Sequence, residues 1–127
     1  MAPPMAPLPR LTRRAEFLRV AAARRKYVAP GLILQAAAGA LPMPAEASWR
    51  VGFTASRKVG NAVKRNRARR RLKALAREVL VHEAAPGYDY VLIARAETAT
   101  RDYAALRKDM RFALKRLRLL DRAEAAA

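Results

Sequence analysis

Between Ala55 and Arg77 the sequence carries ten basic side chains and no acid: Arg57, Lys58, Lys64, Arg65, Arg67, Arg69, Arg70, Arg71, Lys73 and Arg77. An ordinary surface helix interleaves Glu with Lys to gain i,i+4 pairs, whereas like charges at 65, 69, 73 and 77 stand one above another and repel. An anionic partner relieves that repulsion. Phosphate fits, because the planar guanidinium forks onto two oxygens and each neutralised phosphate releases condensed counterions. Gly60 and Asn61 lead into the run. Asn61 can cap a helix there, and a helix N-terminus turns free N–H groups toward a phosphate. Asn66 has poor helix propensity yet sits between Arg65 and Arg67, which points to a contact with nucleic acid or with the following strand.

The rest of the composition narrows the chemistry. Lys and Arg number 27 against 10 Asp and Glu, a formal charge of +17 that a polyanion would offset. A membrane surface is the rival polyanion, but that reading needs a basic amphipathic helix with Trp or Phe on its apolar face, and the one Trp and three Phe are scattered. Cysteine is absent, which excludes disulfides, thiolate zinc sites and cysteine nucleophiles. The acids are dispersed and His82 stands alone near a helix end, where a histidine serves as surface or C-terminal charge rather than as a catalyst. No catalytic residue and no metal ligand is therefore expected. The uncharged run from Tyr27 to Ala45 is interrupted by Pro30, Gly31, Gly39, Pro42 and Pro44, so a soluble chain is expected.

The elements that must position the basic run follow from periodicity. With 127 residues, 53% of them hydrophobic, one domain can bury a core. Residues 1–10 read as a disordered Pro-rich leader, 11–120 as the folded domain and 121–127 as a flexible tail. Thr12 is expected to cap a first helix reaching Arg25, with no acid three residues after it to close a capping box. Strands are expected at Tyr27–Ala29, Leu32–Ala37 and Trp49–Thr54, the last by its clear alternation, with a turn from Gly39 to Ala47. From Asn61 to about Glu83, Ala68, Leu72, Leu75, Ala76 and Val79 form one apolar seam of a long helix, ended by Pro86 and Gly87. Tyr88–Ala94 reads as a buried strand, and Tyr103, Leu106, Met110, Leu114 and Leu117 mark a last helix from Arg101 to Leu119.

The run from Lys58 to Arg71, KVGNAVKRNRARRR, resembles the signature of the bacterial ribonuclease P protein. Arg65, Asn66 and Arg67 fill its Arg-Asn-Arg hallmark, and Arg69 and Arg70 fill the basic pair that follows on the same helix. The likeness extends upstream through Arg50, Val51, Gly52, Phe53 and Ser56, and downstream from Asp89 to Arg95, so that it spans Leu11 to Leu119. It implies an α+β fold: a single-domain α-β-β-β-α-β-α sandwich, ribosomal protein S5 domain 2-like, whose four-stranded sheet contains a left-handed βαβ crossover. The strands at Trp49–Thr54 and Tyr88–Ala94 would flank that crossover, against the usual right-handed rule.

The resemblance further implies a protein subunit of ribonuclease P that binds the catalytic RNA and the 5′ leader of precursor tRNA and assists leader removal. Catalysis would reside in the RNA, with Mg²⁺ at the RNA active site. It implies RNA binding by Arg57, Lys58, Asn61, Lys64, Arg65, Asn66, Arg67, Arg69, Arg70, Arg71 and Lys73, and a leader cleft at Phe17, Gln35, Ile93 and Arg95. A monomer in a 1:1 protein–RNA complex, in the cytoplasm and away from membranes, completes the expectation. Ala21 stands where the family often has a second aromatic, which would weaken stacking on that side, and Arg57 and Arg69 replace the more usual Lys. A structural RNA binder of the ribosomal type shares the charge and size and is separated only by the family string. A helix-turn-helix DNA reader does not fit, since a strand rather than a second helix follows the basic helix.

Overall fold

The structure, a computed structural model, describes residues 8–39 and 49–120. Residues 1–7 of the leader, most of the turn expected from Gly39 to Ala47, and the tail 121–127 lie outside the described residues. The elements run α1 (Arg14–Ala22), β1 (Arg25–Val28), β2 (Leu32–Ala38), β3 (Trp49–Thr54), α2 (Ala62–Leu75), a π-helical turn (Ala76–Leu80), α3 (Val81–Glu83), β4 (Tyr88–Ala94) and α4 (Tyr103–Arg116). Short 3₁₀ turns at Arg57–Val59 and Ala96–Ala99 precede α2 and α4. The fold is α+β with one four-stranded sheet ordered β1-β2-β4-β3. Only β3 and β4 are parallel, Val51 opposite Tyr90, so the chain between them, α2 included, must cross from one end of the sheet to the other.

Several boundaries differ from the sequence reading. The first helix is entered one residue later than expected, after Arg13, and the capping acid is present after all: Glu16 Oε1 accepts from the N–H groups of Arg13 and Thr12 at 2.9 and 3.1 Å. It ends at Ala22 rather than Arg25, because Arg24 turns left-handed at φ 58° and sends the chain directly into β1. The long helix is one run interrupted by the π turn, where Ala76, Val79 and Leu80 are all buried. The last helix starts at Tyr103, capped by Asp102 accepting from Ala105 N–H at 3.3 Å. The chain is already held at Pro9, inside the expected leader: Val51 N–H donates to Pro9 O and Leu11 N–H to Val51 O, both at 2.9 Å. Strand β3 has an open outer edge, and this segment occupies its unpaired backbone groups.

One sheet face carries the main core. Leu32, Leu34, Ala36, Val51, Tyr90 and Leu92 meet Ala68, Leu72, Leu75 and Val79 from the basic helix and Leu106, Met110 and Leu114 from α4, all buried. Truncating one of those leucines to Ala would cost roughly 2 to 5 kcal/mol. Gly31 lets the β1–β2 turn approach α4, since a Cβ there would meet Leu106 and lie 2.7 Å from Asp109 Oδ2. Its N–H instead donates to Asp109 at 3.0 Å and its carbonyl accepts from Thr98 Oγ1 at 2.6 Å. The opposite sheet face is only half covered, by α1, and this leaves the ground for a site.

Candidate nucleic-acid interface

The rotation of α2 is set by its buried seam at Ala68, Leu72 and Leu75, and that seam decides which cations reach solvent. Asn66, Arg67, Arg69 and Arg70 are exposed, with Val63 77% exposed on the same crest. The stripe at 65, 69, 73 and 77 lies beside the seam, so that Arg65, Lys73 and Arg77 are half-buried and Arg69 is exposed. The outward crest therefore runs through Asn66, Arg67 and Arg70, offset from that stripe. The Asn66 side chain makes no hydrogen bond among the described residues, so a bond to the following strand, offered as its alternative, is not formed.

At the helix start, Asn61 Oδ1 accepts from Lys64 N–H at 2.9 Å, so its side chain is engaged as a cap. Gly60, at φ 143°, takes a conformation that L residues rarely adopt, and Arg65 Nη1 donates to its carbonyl at 3.0 Å. Arg57 and Lys58 are exposed on the preceding 3₁₀ turn, where Ser56 Oγ accepts from Lys58 N–H at 3.3 Å, and Lys64 is half-buried against Gly60. Arg71 departs most from its expected role. Its two terminal nitrogens donate to the carbonyls of Thr98 and Arg101 at 2.7 and 2.6 Å, and its guanidinium lies 5.7 Å from the centre of the Tyr103 ring. It is turned inward and joins α2 to the entry of α4, because Ala99 and Leu106 bury the loop beneath it.

The half-covered sheet face is built in three cross-strand rows set by the register. Ala37, Asp89 and Arg50 form the first; Lys26, Gln35, Val91 and Gly52 the second; Val28, Ile33, Ile93 and Thr54 the third. Helix α1 covers the first row and part of the second. Asp89 is fully buried, and Arg50 grips it with two bonds, Nε to Oδ1 at 2.9 Å and Nη2 to Oδ2 at 2.7 Å. Arg50 also donates to Glu16 at 2.8 Å, while Arg19 bonds Asp89 and the Ala38 carbonyl. Backbone N–H groups of Arg13 and Thr12, with help from Arg50, hold the Glu16 carboxyl below its ordinary range, and the Asp89 carboxylate raises the Arg50 guanidinium above its own. Buried charge so paired fixes α1 by geometry as much as by energy.

Phe17, expected in a leader cleft, lies half-buried over Gly52, where any Cβ would come within 2.6 Å of its ring. Phe17 and Ile93 pack against the small cluster of Leu11, Val20, Ala37 and Val91. Beyond α1 the third row is open: Ile33 and Ile93 are half-buried and Val28 is 48% exposed, an apolar floor facing solvent. A hollow of about 360 Å³ opens there, lined by Ile33, Ile93, Ala94, Arg95, Ala96, Ser56, Lys58 and Glu97. Arg95 lines it while donating to the Ala29 carbonyl at 2.6 Å, and Gln35 is half-buried one row away. Ala21 is exposed.

The tertiary arrangement thus brings Ile93 and Arg95 to one hollow, leaves Gln35 one row away, gathers Lys58 to the same hollow rather than to the α2 crest, and places Phe17 on the same small cluster as Ile93. Sequence reasoning missed Val28, Lys26, Thr54 and Ser56. For Val28, Lys26 and Thr54 the signal was the two-residue alternation of β1 and β3, which is useless until the strand register is known; Ser56 lies outside both strands. Chemically, the face offers an apolar floor with cations at its rim, suited to unpaired bases and their phosphates, and the crest offers cations with no aromatic platform among them. Among the described residues no cluster of three His, Cys, Asp or Glu could hold a metal, and no helix is long and apolar enough to cross a membrane.

The family model described as Ribonuclease P matches residues 5–118. The ribonuclease P protein component of Paramagnetospirillum magneticum is 55% identical over 120 residues, covering 94% of this chain and 90% of that protein. That of Gluconacetobacter diazotrophicus is 50% identical over 107 residues, covering 84% and 89%. Among solved structures, the RNase P protein of Staphylococcus aureus superposes with a TM-score of 0.70 at 20% identity, covering 88% of this chain and 97% of that one. The RNase P protein of Thermotoga maritima gives 0.68 at 23% identity, covering 84% and 96%.

Proposed function

The chain belongs to the ribonuclease P protein family, and we propose on that footing that it serves tRNA 5′ maturation by holding two RNAs at once. The exposed crest of α2 binds the catalytic RNA through phosphates, and the open half of the outer sheet face receives the single-stranded 5′ leader of precursor tRNA. The observation that carries this reading is the separation of the two surfaces: an acid-free cationic helix packed on one sheet face, an apolar floor with basic borders on the other. Bond cleavage is assigned to the RNA subunit with Mg²⁺, and the protein contributes position and charge. Arg67, Arg69 and Arg70 neutralise phosphates, Ile33 and Ile93 present the floor, and Phe17 borders it. The chain acts as one copy per RNA, in the cytoplasm.

A cleavage assay tests this. Purified chain alone should leave precursor tRNA intact, whereas chain plus a bacterial ribonuclease P RNA and Mg²⁺ should release the 5′ leader at lower salt than the RNA alone requires. Accurate cleavage by RNA-free protein would refute the division of labour.

A further inference from the structure

Helix α4 uses its cations in two ways. Arg107 and Arg111 bond Glu78 and Glu83, both at 3.0 Å or less, on the side facing the π turn and α3. Lys108, Lys115 and Arg116 are exposed, Lys115 one turn beyond Arg111 on the same ridge and Lys108 and Arg116 on the flank beside Phe112, and among the described residues none of the three forms an ion pair. Lys115 and Arg116 sit in the last turn, where the helix dipole favours cations, but Lys108 stands two turns earlier and gains nothing from it. Between them, at i+4 from Lys108 and at i−3 and i−4 from the other two, Phe112 is 50% exposed. One side of its ring is held edge-on by Tyr27, with centroids 5.5 Å apart and planes at 63°, so it is ordered before any partner arrives.

We propose that this edge of α4 is a second contact surface for the RNA partner, on which an unpaired nucleotide stacks against Phe112 while its flanking phosphates meet Lys108, Lys115 and Arg116. The inference rests on the ribonuclease P reading and extends it. An aromatic platform set among unpaired cations is the chemistry of single-stranded RNA binding. A second copy of the chain is opposed by the +17 charge on each. The catalytic RNA, rather than the leader, is the occupant because α4 packs on the same sheet face as α2, whereas the leader cleft is on the face that α1 half covers. The leader would lie on the opposite face.

The test measures binding of the full chain to the isolated RNA subunit of a bacterial ribonuclease P across a salt series. Phe112→Ala and Phe112→Leu should lower affinity on the order of tenfold, and Phe112→Trp should retain it. Leucine keeps an apolar contact with Tyr27, so the comparison isolates stacking from packing, and melting confirms that each variant folds. The combined Lys108→Ala, Lys115→Ala, Arg116→Ala variant should flatten the dependence of log affinity on log salt by up to about 2. Preference for precursor over mature tRNA should be unchanged in all of them. Wild-type affinity and slope in Phe112→Leu and in the combined variant would overturn the proposal, as would a loss confined to precursor preference, or altered sedimentation of the free protein with RNA affinity intact. If wild-type protein fails to bind the RNA at all, the ribonuclease P reading itself falls; if only Arg67→Ala and Arg70→Ala lose affinity, that reading stands and this proposal alone fails.

Discussion

Arg50 and Arg70 place the same side chain in opposite settings. Arg50, at the junction of α1 with the sheet, bonds a fully buried Asp89 twice and Glu16 once, and with Arg19 forms a closed network between helix and strands. Arg70, on the crest of α2, is exposed and faces no acid on its own helix. Positive charge in this chain therefore has two duties. Where a carboxylate is at hand, arginine fixes the geometry of the sheet face; where none is, it remains available to phosphate.

The largest effect is expected at Asp89. Asp89→Ala leaves Arg50 and Arg19 without their shared partner, each with about a third or less of its side chain exposed, and should destabilise the protein by roughly 3 kcal/mol, read by urea or thermal unfolding. Arg70→Ala, by contrast, should move stability by less than about 0.5 kcal/mol. A comparable loss in both would erase the distinction. Gly52→Ala comes next, because its methyl group would run into the Phe17 ring. A cost of about 1 to 3 kcal/mol is expected, with α1 loosened against the sheet, and double substitution with Phe17→Ala should recover part of it.

On the RNA side, Arg67→Ala with Arg70→Ala should leave melting unchanged and reduce the salt slope of RNA binding by up to about 0.7 to 0.9 per lost phosphate contact. Arg65→Ala should have a smaller effect, since Arg65 is half-buried and already bonded to Gly60 O. Phe17→Ala, assayed in protein shown to be folded, should lower the preference for precursor over mature tRNA by about 1 kcal/mol or more, while Arg71→Ala should alter stability rather than affinity. The smallest effect concerns pH. Glu16 is held below its ordinary value of 4.5, so its stabilising contribution is present above that value and fades as pH falls through the lower folded-state value. Glu16→Gln should weaken the acid-side loss of stability measured below about pH 4.5.

Much of the fold was legible because its signals are local. The alternation of Trp49–Thr54, the apolar run of Tyr88–Ala94 and the seam of Ala68, Leu72 and Leu75 each depend only on the period of one element, and all three elements lie where the pattern puts them. Boundaries moved where a single backbone angle or contact decided them: Arg24 at φ 58° cut α1 short, and the open edge of β3 drew Pro9 to Leu11 into the fold. For the site, the density of basic residues was visible, but not which of them would be free. Arg67 and Arg71 differ by one turn, yet one is exposed and the other donates both terminal nitrogens inward.

By itself the sequence determined the element order, the core-facing seams of the basic and last helices, the absence of thiol chemistry, and an excess of positive charge concentrated in one acid-free helix, since periodicity and composition need no knowledge of what lies across the fold. Tertiary structure alone decided the rest. The register of four strands set Val28, Ile33, Ile93 and Thr54 in one row, the approach of α1 closed one half of that face and left the other open, and distant carbonyls and carboxylates claimed Arg19, Arg50, Arg71 and Arg95. The physical reason is that a guanidinium's role is fixed by the acceptor within about 3 Å of it, and those acceptors are supplied by residues dozens of positions away in the chain.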